Sequence, residues 1–183
     1  MNAGQGHELV ELFWAAFERF LSDERDNILN GSSEQNLCGR LALAMERCRE
    51  ERGINGYFVD TEYNRKQNGE VKTIIEGGIK VVPIRCDIIL HSRGQIAAKD
   101  NLIVVEMKRS KHSKAEKQKD RMRLIAMTSK SYDGVWSADG ETLPEHVCDY
   151  SIGVYLELDT KERKFLVETY AVGKLVETRY ADF

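Results

Sequence analysis

The chain has 183 residues, 42% of them apolar and 31% charged, with a net charge of −3. That length and apolar content suit one domain with a core of its own, and the small negative charge argues against indiscriminate binding to polyanions. The apolar runs fall well short of the roughly 18 residues that cross a bilayer, and "HELVE" near the start carries no basic n-region, so the expectation is a cytoplasmic protein with no membrane partner.

In chain order, residues 7–22, "HELVELFWAAFERFLS", place Leu9, Phe13, Ala16, Phe17 and Phe20 on one face of an amphipathic helix, widened by Val10, Trp14 and Leu21. The polar stretch "DERDNILNGSS" is expected to end it. A helix this aromatic must cover its face, either with the chain's own sheet or with a second copy in a two-fold homodimer. Ser32, followed three residues later by Gln35, predicts a capping box opening a second helix, "SEQNLCGRLALAMERCREE". Its apolar face runs through Leu37, Leu41, Ala44 and Met45, and Glu34 falls in the first turn, where a carboxylate complements the helix dipole.

The segment "YFVDTEYNR" has strand composition. A turn at "QNGE" leads into "VKTIIEGGIKVVPIRCDIIL", two or three strands with a break at Gly77 and Gly78. After the connector "HSRGQIAAKDN" comes the strand "LIVVEMK" and then a helix over 112–128 carrying Ala115, Met122, Ile125 and Ala126. A loop, "SKSYDGVWSADGETLPEHVCDY", precedes three closing strands, "SIGVYLEL", "KFLVETYAV" and "KLVETRY". The reading is a single α/β domain over 1–183: an N-terminal helical extension (1–30), a core of helix-strand-strand-strand-helix-strand (31–158), and C-terminal antiparallel strands (159–183). Cys38, Cys48, Cys86 and Cys148 form no C-x-x-C pair and have no His at zinc-ligand spacing, so buried free thiols are expected.

The predicted helix over 112–128 lies in a basic run. Lys108, Arg109, Lys111, Lys114, Lys117, Lys119, Arg121, Arg123 and Lys130 are offset there only by Glu116 and Asp120. Such a run is either a solvated face or a phosphate-binding surface, and Lys117 and Arg121, four apart, share a helix face.

The strand before it carries the chemistry. Leu102, Val104, Glu106 and Lys108 share one face, and Ile103, Val105 and Met107 the other, so a strand apolar on both sides ends in a carboxylate and an ammonium at the mouth of a cleft. Asp87, in "PIRCDIIL", supplies a second carboxylate. The antiparallel register that sets Asp87 opposite Glu106 has its midpoint between Ile96 and Ala97, inside the polar connector. Adjacent carboxylates repel unless a cation sits between them, and hard oxygen donors suit Mg²⁺ or Mn²⁺. Lys108 is then placed to orient a water or offset charge in phosphodiester hydrolysis. The E-x-K pattern recurs at Glu70-Val71-Lys72 and Glu162-Arg163-Lys164, but only the copy at Glu106 ends an apolar strand, follows an Asp-bearing strand and precedes a basic helix.

With Asp87, the eighteen-residue gap, Glu106-Met107-Lys108 and the helix carrying Glu34, the sequence resembles the PD-(D/E)XK nuclease superfamily. The wordings "SEQNLCGRLALAMER", "CDIILHSRG", "NLIVVEMK" and "VWSADGETLPEHVC" resemble a widespread group of small bacterial proteins assigned to it. Cys86 stands where the signature has proline, with Pro83 three residues earlier. The resemblance implies a restriction-endonuclease-like core. It also implies metal ligation by Asp87, Glu106, the main-chain carbonyl of Met107 and Glu34, with Lys108 as the catalytic lysine. The expected activity is that of a Mg²⁺- or Mn²⁺-dependent endonuclease acting on DNA ahead of RNA, with Arg65, Lys66, Arg109, Lys111, Lys117 and Arg121 gripping phosphates. The alternative is a catalytically silent nucleic-acid-binding or assembly module on the same fold. The complete set Glu34, Asp87, Glu106 and Lys108 favours the enzyme, because a pure binder gains nothing from clustered carboxylates facing a polyanion.

Overall fold

The structure, a computed structural model, describes residues 3–62, 73–75, 81–83, 86–96, 98–129 and 149–183. Arg65, Lys66, Gly77, Gly78, Lys130, Cys148 and most of the loop before the closing strands lie outside the described residues. Three helices are described: α1 (Ala3–Leu29), α2 (Glu34–Glu51) and α3 (Lys114–Thr128). The strands are β1 (Phe58–Thr61), β2 (Thr73–Ile75), β3 (Val81–Pro83), β4 (Ile88–His91), β5 (Asn101–Arg109), β6 (Ile152–Asp159), β7 (Lys164–Ala171) and β8 (Lys174–Asp182).

Six strands form one sheet in the order β1-β4-β5-β6-β7-β8, and β2 and β3 pair antiparallel in a small separate sheet. Every neighbour in the large sheet is antiparallel except β5 and β6, which run parallel with α3 in the connection between them. The fold is therefore mixed α/β with a mostly antiparallel sheet. No described helix is long and apolar enough to cross a membrane.

Strand alternation sorts the core into two layers. Ile88, Leu90, Ile103, Val105 and Met107 point to the face covered by α1 and α2, while Ile89, Val104, Tyr155 and Tyr170 meet Leu124 and Met127 of α3 on the other. α3 comes so close to β6 that a Cβ on Gly153 would stand 3.0 Å from Thr128 Cγ2 and 3.3 Å from Leu124 Cδ2. Glycine at that position sets the height of α3 above the sheet.

The aromatic stripe of α1 is buried within its own chain. Phe13, Phe17 and Phe20 are at most 1% exposed, and the Phe17 and Phe165 rings meet edge-on at 5.3 Å. Burying such a ring is worth about 1.5–3 kcal/mol. α1 also runs one turn and more past the predicted stop at residue 22, because the polar stretch hides two inward positions. Ile28 is fully buried, and Glu24, on the same face, is 3% exposed and ion-paired with Arg40 of α2. The cap of α2 is likewise shifted by one. Ser33, not Ser32, accepts from Asn36 N–H at 3.2 Å, and the Ser32 carbonyl accepts from the Arg109 guanidinium instead.

The sheet and α2 depend on this cover, so deleting residues 1–28 should abolish the cooperative thermal transition. Melting curves followed by circular dichroism decide it: a truncated chain melting like the full one would place α1 outside the core.

Candidate active site

The ladder between β4 and β5 pairs Ile89 with Val104 and Ile88 with Val105. One step further brings Asp87 beside Glu106, as the connector midpoint predicts, and the register irregularity of this ladder lies at the opposite end, by His91. Asp87 Oδ2 accepts from Met107 N–H at 2.8 Å, and its carboxyl is within hydrogen-bonding reach of that of Glu106. Because the N–H and C=O of one strand residue leave on the same side, the Met107 carbonyl also faces the Asp87 side.

Burial leaves both acids reluctant to ionise, and the charge of Asp87 adds to it at Glu106. Burial raises the pKa of Asp87, outweighing the Met107 hydrogen bond, and burial followed by the charge of Asp87 raises that of Glu106 well above the ordinary 4.5. Glu106 is only 1% exposed. Its Oε1 accepts from Arg123 Nη1 of α3 at 2.5 Å.

Lys108, two residues on along the same face of β5, is held between the two helical layers. Its Nζ lies 3.5 Å from Asp120 Oδ2 of α3 and 3.9 Å from Glu34 Oε2 of α2. Burial pulls its pKa down, but Asp87, Asp120, Glu106 and Glu34 outweigh burial and raise it, so the ammonium stays charged. Glu34 is the first residue of α2, positioned by the Ser33 cap. Its Oε1 accepts from Arg109 N–H at 3.3 Å and lies 2.7 Å from His112 Nε2. Beneath the site, burial and then the charges of Asp87, Glu106 and Glu34 push the Cys38 thiol up, leaving it protonated and inert. Cys48 and Cys86 are also buried.

Asp87, Glu106, Met107 and Lys108 stand together at the end of β4 and β5, and Glu34, expected as a further metal ligand, reaches this group through Lys108 instead of converging with the two acids. Three neighbours were not anticipated: Asp120, Arg123 and His112. In the sequence Asp120 and Arg123 are members of a charged run, although Asp120 shares its helical face with Leu124 and Met127, the residues that pack on the sheet.

The basic helix itself needs a correction. Lys117 Nζ lies 2.7 Å from Glu157 Oε1, Arg121 Nε 2.7 Å from Glu168 Oε2, and the Arg121 guanidinium sits 4.1 Å above the Tyr155 ring. Both side chains are turned to the sheet, where carboxylates of β6 and β7 have claimed them, and they are not free to grip phosphates. Lys111, Lys114 and Lys119 are the exposed cations of this segment, and Arg109 is half-buried against Ser32.

Among the described residues, no three Asp, Glu, His or Cys side chains converge to hold a metal ion. The donors that could share a cation here are therefore the two carboxylates of Asp87 and Glu106 with the Met107 carbonyl. No family model, curated protein or solved structure matches the chain.

The paired acids give a pH prediction. Both hold a proton more tightly folded than unfolded, so this pair contributes a stability to the metal-free protein that grows as pH falls from neutral toward 4.5 and is lost as pH rises through the folded-state values. Asp87→Asn relieves the repulsion. Its metal-free melting temperature at neutral pH should rise by the equivalent of about 1 kcal/mol, and its gain on acidification should shrink. Calorimetry in EDTA at a series of pH values checks both, and an unchanged pH profile would mean the two acids do not interact.

Proposed function

We propose that the chain is a metal-dependent nuclease of restriction-endonuclease-like core, hydrolysing phosphodiester bonds in DNA ahead of RNA. What carries the reading is one juxtaposition. Asp87 and Glu106 lie side by side where β4 and β5 leave the buried sheet, with a charged Lys108 on the same face of β5.

The donor set fits a hard divalent cation. Mg²⁺ is commonly held by one or two carboxylates and keeps several waters, which matches two carboxylates and a main-chain carbonyl without a third converging side chain. The charge pattern fits too: four carboxylates, Glu34, Asp87, Glu106 and Asp120, gather around the Lys108 ammonium and the Arg123 guanidinium, with the His112 imidazole on Glu34, so a further cation at Asp87 and Glu106 is electrostatically welcome. Magnesium or manganese bound there supplies polarisation of a phosphoryl oxygen and a lowered pKa for bound water.

The chain's own residues do the rest. Lys108, charged and pinned by Asp120 and Glu34, cannot serve as a base; it presents a fixed ammonium to the negative charge that builds on phosphate oxygens. His112 and Arg109 N–H hold Glu34 at the end of β5. Lys111, Lys114 and Lys119 are exposed on the segment that follows β5 and suit a polyanionic backbone. One feature favours the silent-module reading instead: Glu106 already has a cation in Arg123.

Incubation with supercoiled, linear and single-stranded DNA and with RNA, in Mg²⁺, Mn²⁺ or EDTA, separates the two. Cleavage should require the metal, vanish in Asp87→Ala and Glu106→Ala, and fall by about 10²–10³ in Lys108→Ala. Asp87→Ala cleaving like the parent would refute the site, and binding without cleavage in any metal would make the chain a silent module.

Salt dependence locates the substrate. Each of Lys111, Lys114 and Lys119 that contacts a phosphate should, when changed to Gln, reduce the log-log slope of duplex DNA binding by about 0.9. Lys117→Gln with Arg121→Gln should leave the slope alone and lower the melting temperature. The opposite pattern would return Lys117 and Arg121 to the interface.

A further inference from the structure

A buried carboxylate without a counter-charge is costly, and Glu106, 1% exposed, has one ion-paired cation among the described residues: the Arg123 guanidinium, 2.5 Å away. The same Nη1 lies 3.1 Å from Asp120 Oδ1, three residues earlier on α3. Arg123 therefore stands between two carboxylates, and the two are not equivalent. Glu106 Oε1 has Arg123 as its ion-pair partner. Asp120 is also buried, but its Oδ2 has no hydrogen-bond partner, and the ammonium of Lys108 approaches it only to 3.5 Å. Asp120 has acceptor capacity to spare. Arg123 also has room to move: its side chain is 28% exposed, against 1% for that of Glu106.

We propose that Arg123 is the site's internal counter-cation, holding Glu106 while no divalent ion is bound and passing to Asp120 when one is. This inference rests on the nuclease reading, since the ion that competes with Arg123 is the one that reading requires.

Two consequences follow for the site. Without metal, the guanidinium keeps the Glu106 carboxylate at its place at the end of β5, so the site does not collapse or swing outward. With metal, binding is an exchange of one cation for another at Glu106, and its affinity is weaker than two bare carboxylates would give. Asp120 is then a positioning residue with two functions, anchoring Lys108 of β5 and receiving Arg123, one turn further along its own helix.

Titration calorimetry of the metal-free full chain with MnCl₂, alongside thermal melts, tests the exchange. Arg123→Gln removes the competitor, so it should bind Mn²⁺ at least about tenfold more tightly than the parent and show the larger metal-induced rise in melting temperature. Asp120→Asn removes the acceptor for the displaced guanidinium and should bind more weakly. Equal or weaker binding by Arg123→Gln overturns the proposal while leaving the metal site intact, provided the parent binds Mn²⁺ and Asp87→Asn does not. A parent that binds no Mn²⁺ at millimolar concentration overturns the nuclease reading and this inference with it. If Arg123→Gln does not fold, ¹⁵N resonances of the arginine side chains in the parent take its place. The Arg123 signal should move on adding Mg²⁺, and a stationary signal overturns the exchange.

Discussion

The constraint on which the rest depends is the charge on one face of the sheet. The strand register sets Asp87, Glu106, Tyr155 and Glu168 across neighbouring strands, and Glu157 follows two residues after Tyr155. Four carboxylates on a covered face could not be tolerated unpaired. α3 answers with Lys117 to Glu157, Arg121 to Glu168 and Arg123 to Glu106. The helix is basic because the sheet beneath it is acidic. Its apolar contacts, Leu124 and Met127, lie only at its C-terminal end, where Gly153 lets it descend onto β6.

That pairing is complete at Glu157 and Glu168 and incomplete at the edge toward β4. There Asp87 and Glu106 meet with Arg123, among the described residues, as the one cation ion-paired to the two acids, and Asp120 adds a further buried carboxylate. A stable core would have replaced one of these acids with an apolar side chain, at no loss of packing. The raised pKa values of Asp87 and Glu106 record the cost of keeping both. Such local conflict between burial and charge is where function is expected, because nothing in the fold requires it.

The parts legible in the sequence were those fixed by alternation and short-range geometry. The register of Asp87 and Glu106 followed from the length of one polar connector, and the closing strands from period-two alternation and their turns. Local rules failed where tertiary partners overrode them. The polar stretch after residue 22 looked like a helix end because the pairing of Glu24 with Arg40 of α2 cannot be seen locally. Ser32 and Ser33 both carry a capping hydroxyl, and the one that meets Asn36 N–H is Ser33, while the Ser32 carbonyl takes the Arg109 guanidinium. The direction of Lys117 and Arg121 was missed for the same reason. A basic run reads as a phosphate surface until the facing acids, 40 residues away for Glu157 and 47 for Glu168, are known.

Lys108 joins these layers. Its ammonium is held by Glu34, which opens α2 on one side of the sheet, and by Asp120, which rides on α3 on the other. The two helices pack on opposite faces of the sheet, so the position of this one charge depends on how both are anchored. α2 is fixed by the Ser33 cap and by α1 behind it, and α3 by its Ser113–Glu116 capping box and its ion pairs to β6 and β7. A substitution far from the site that lets either helix slide would therefore move the ammonium relative to Asp87 and Glu106 without touching any of the three. The aromatic cover of α1 and the buried ion pairs of α3 act on the site through that one side chain.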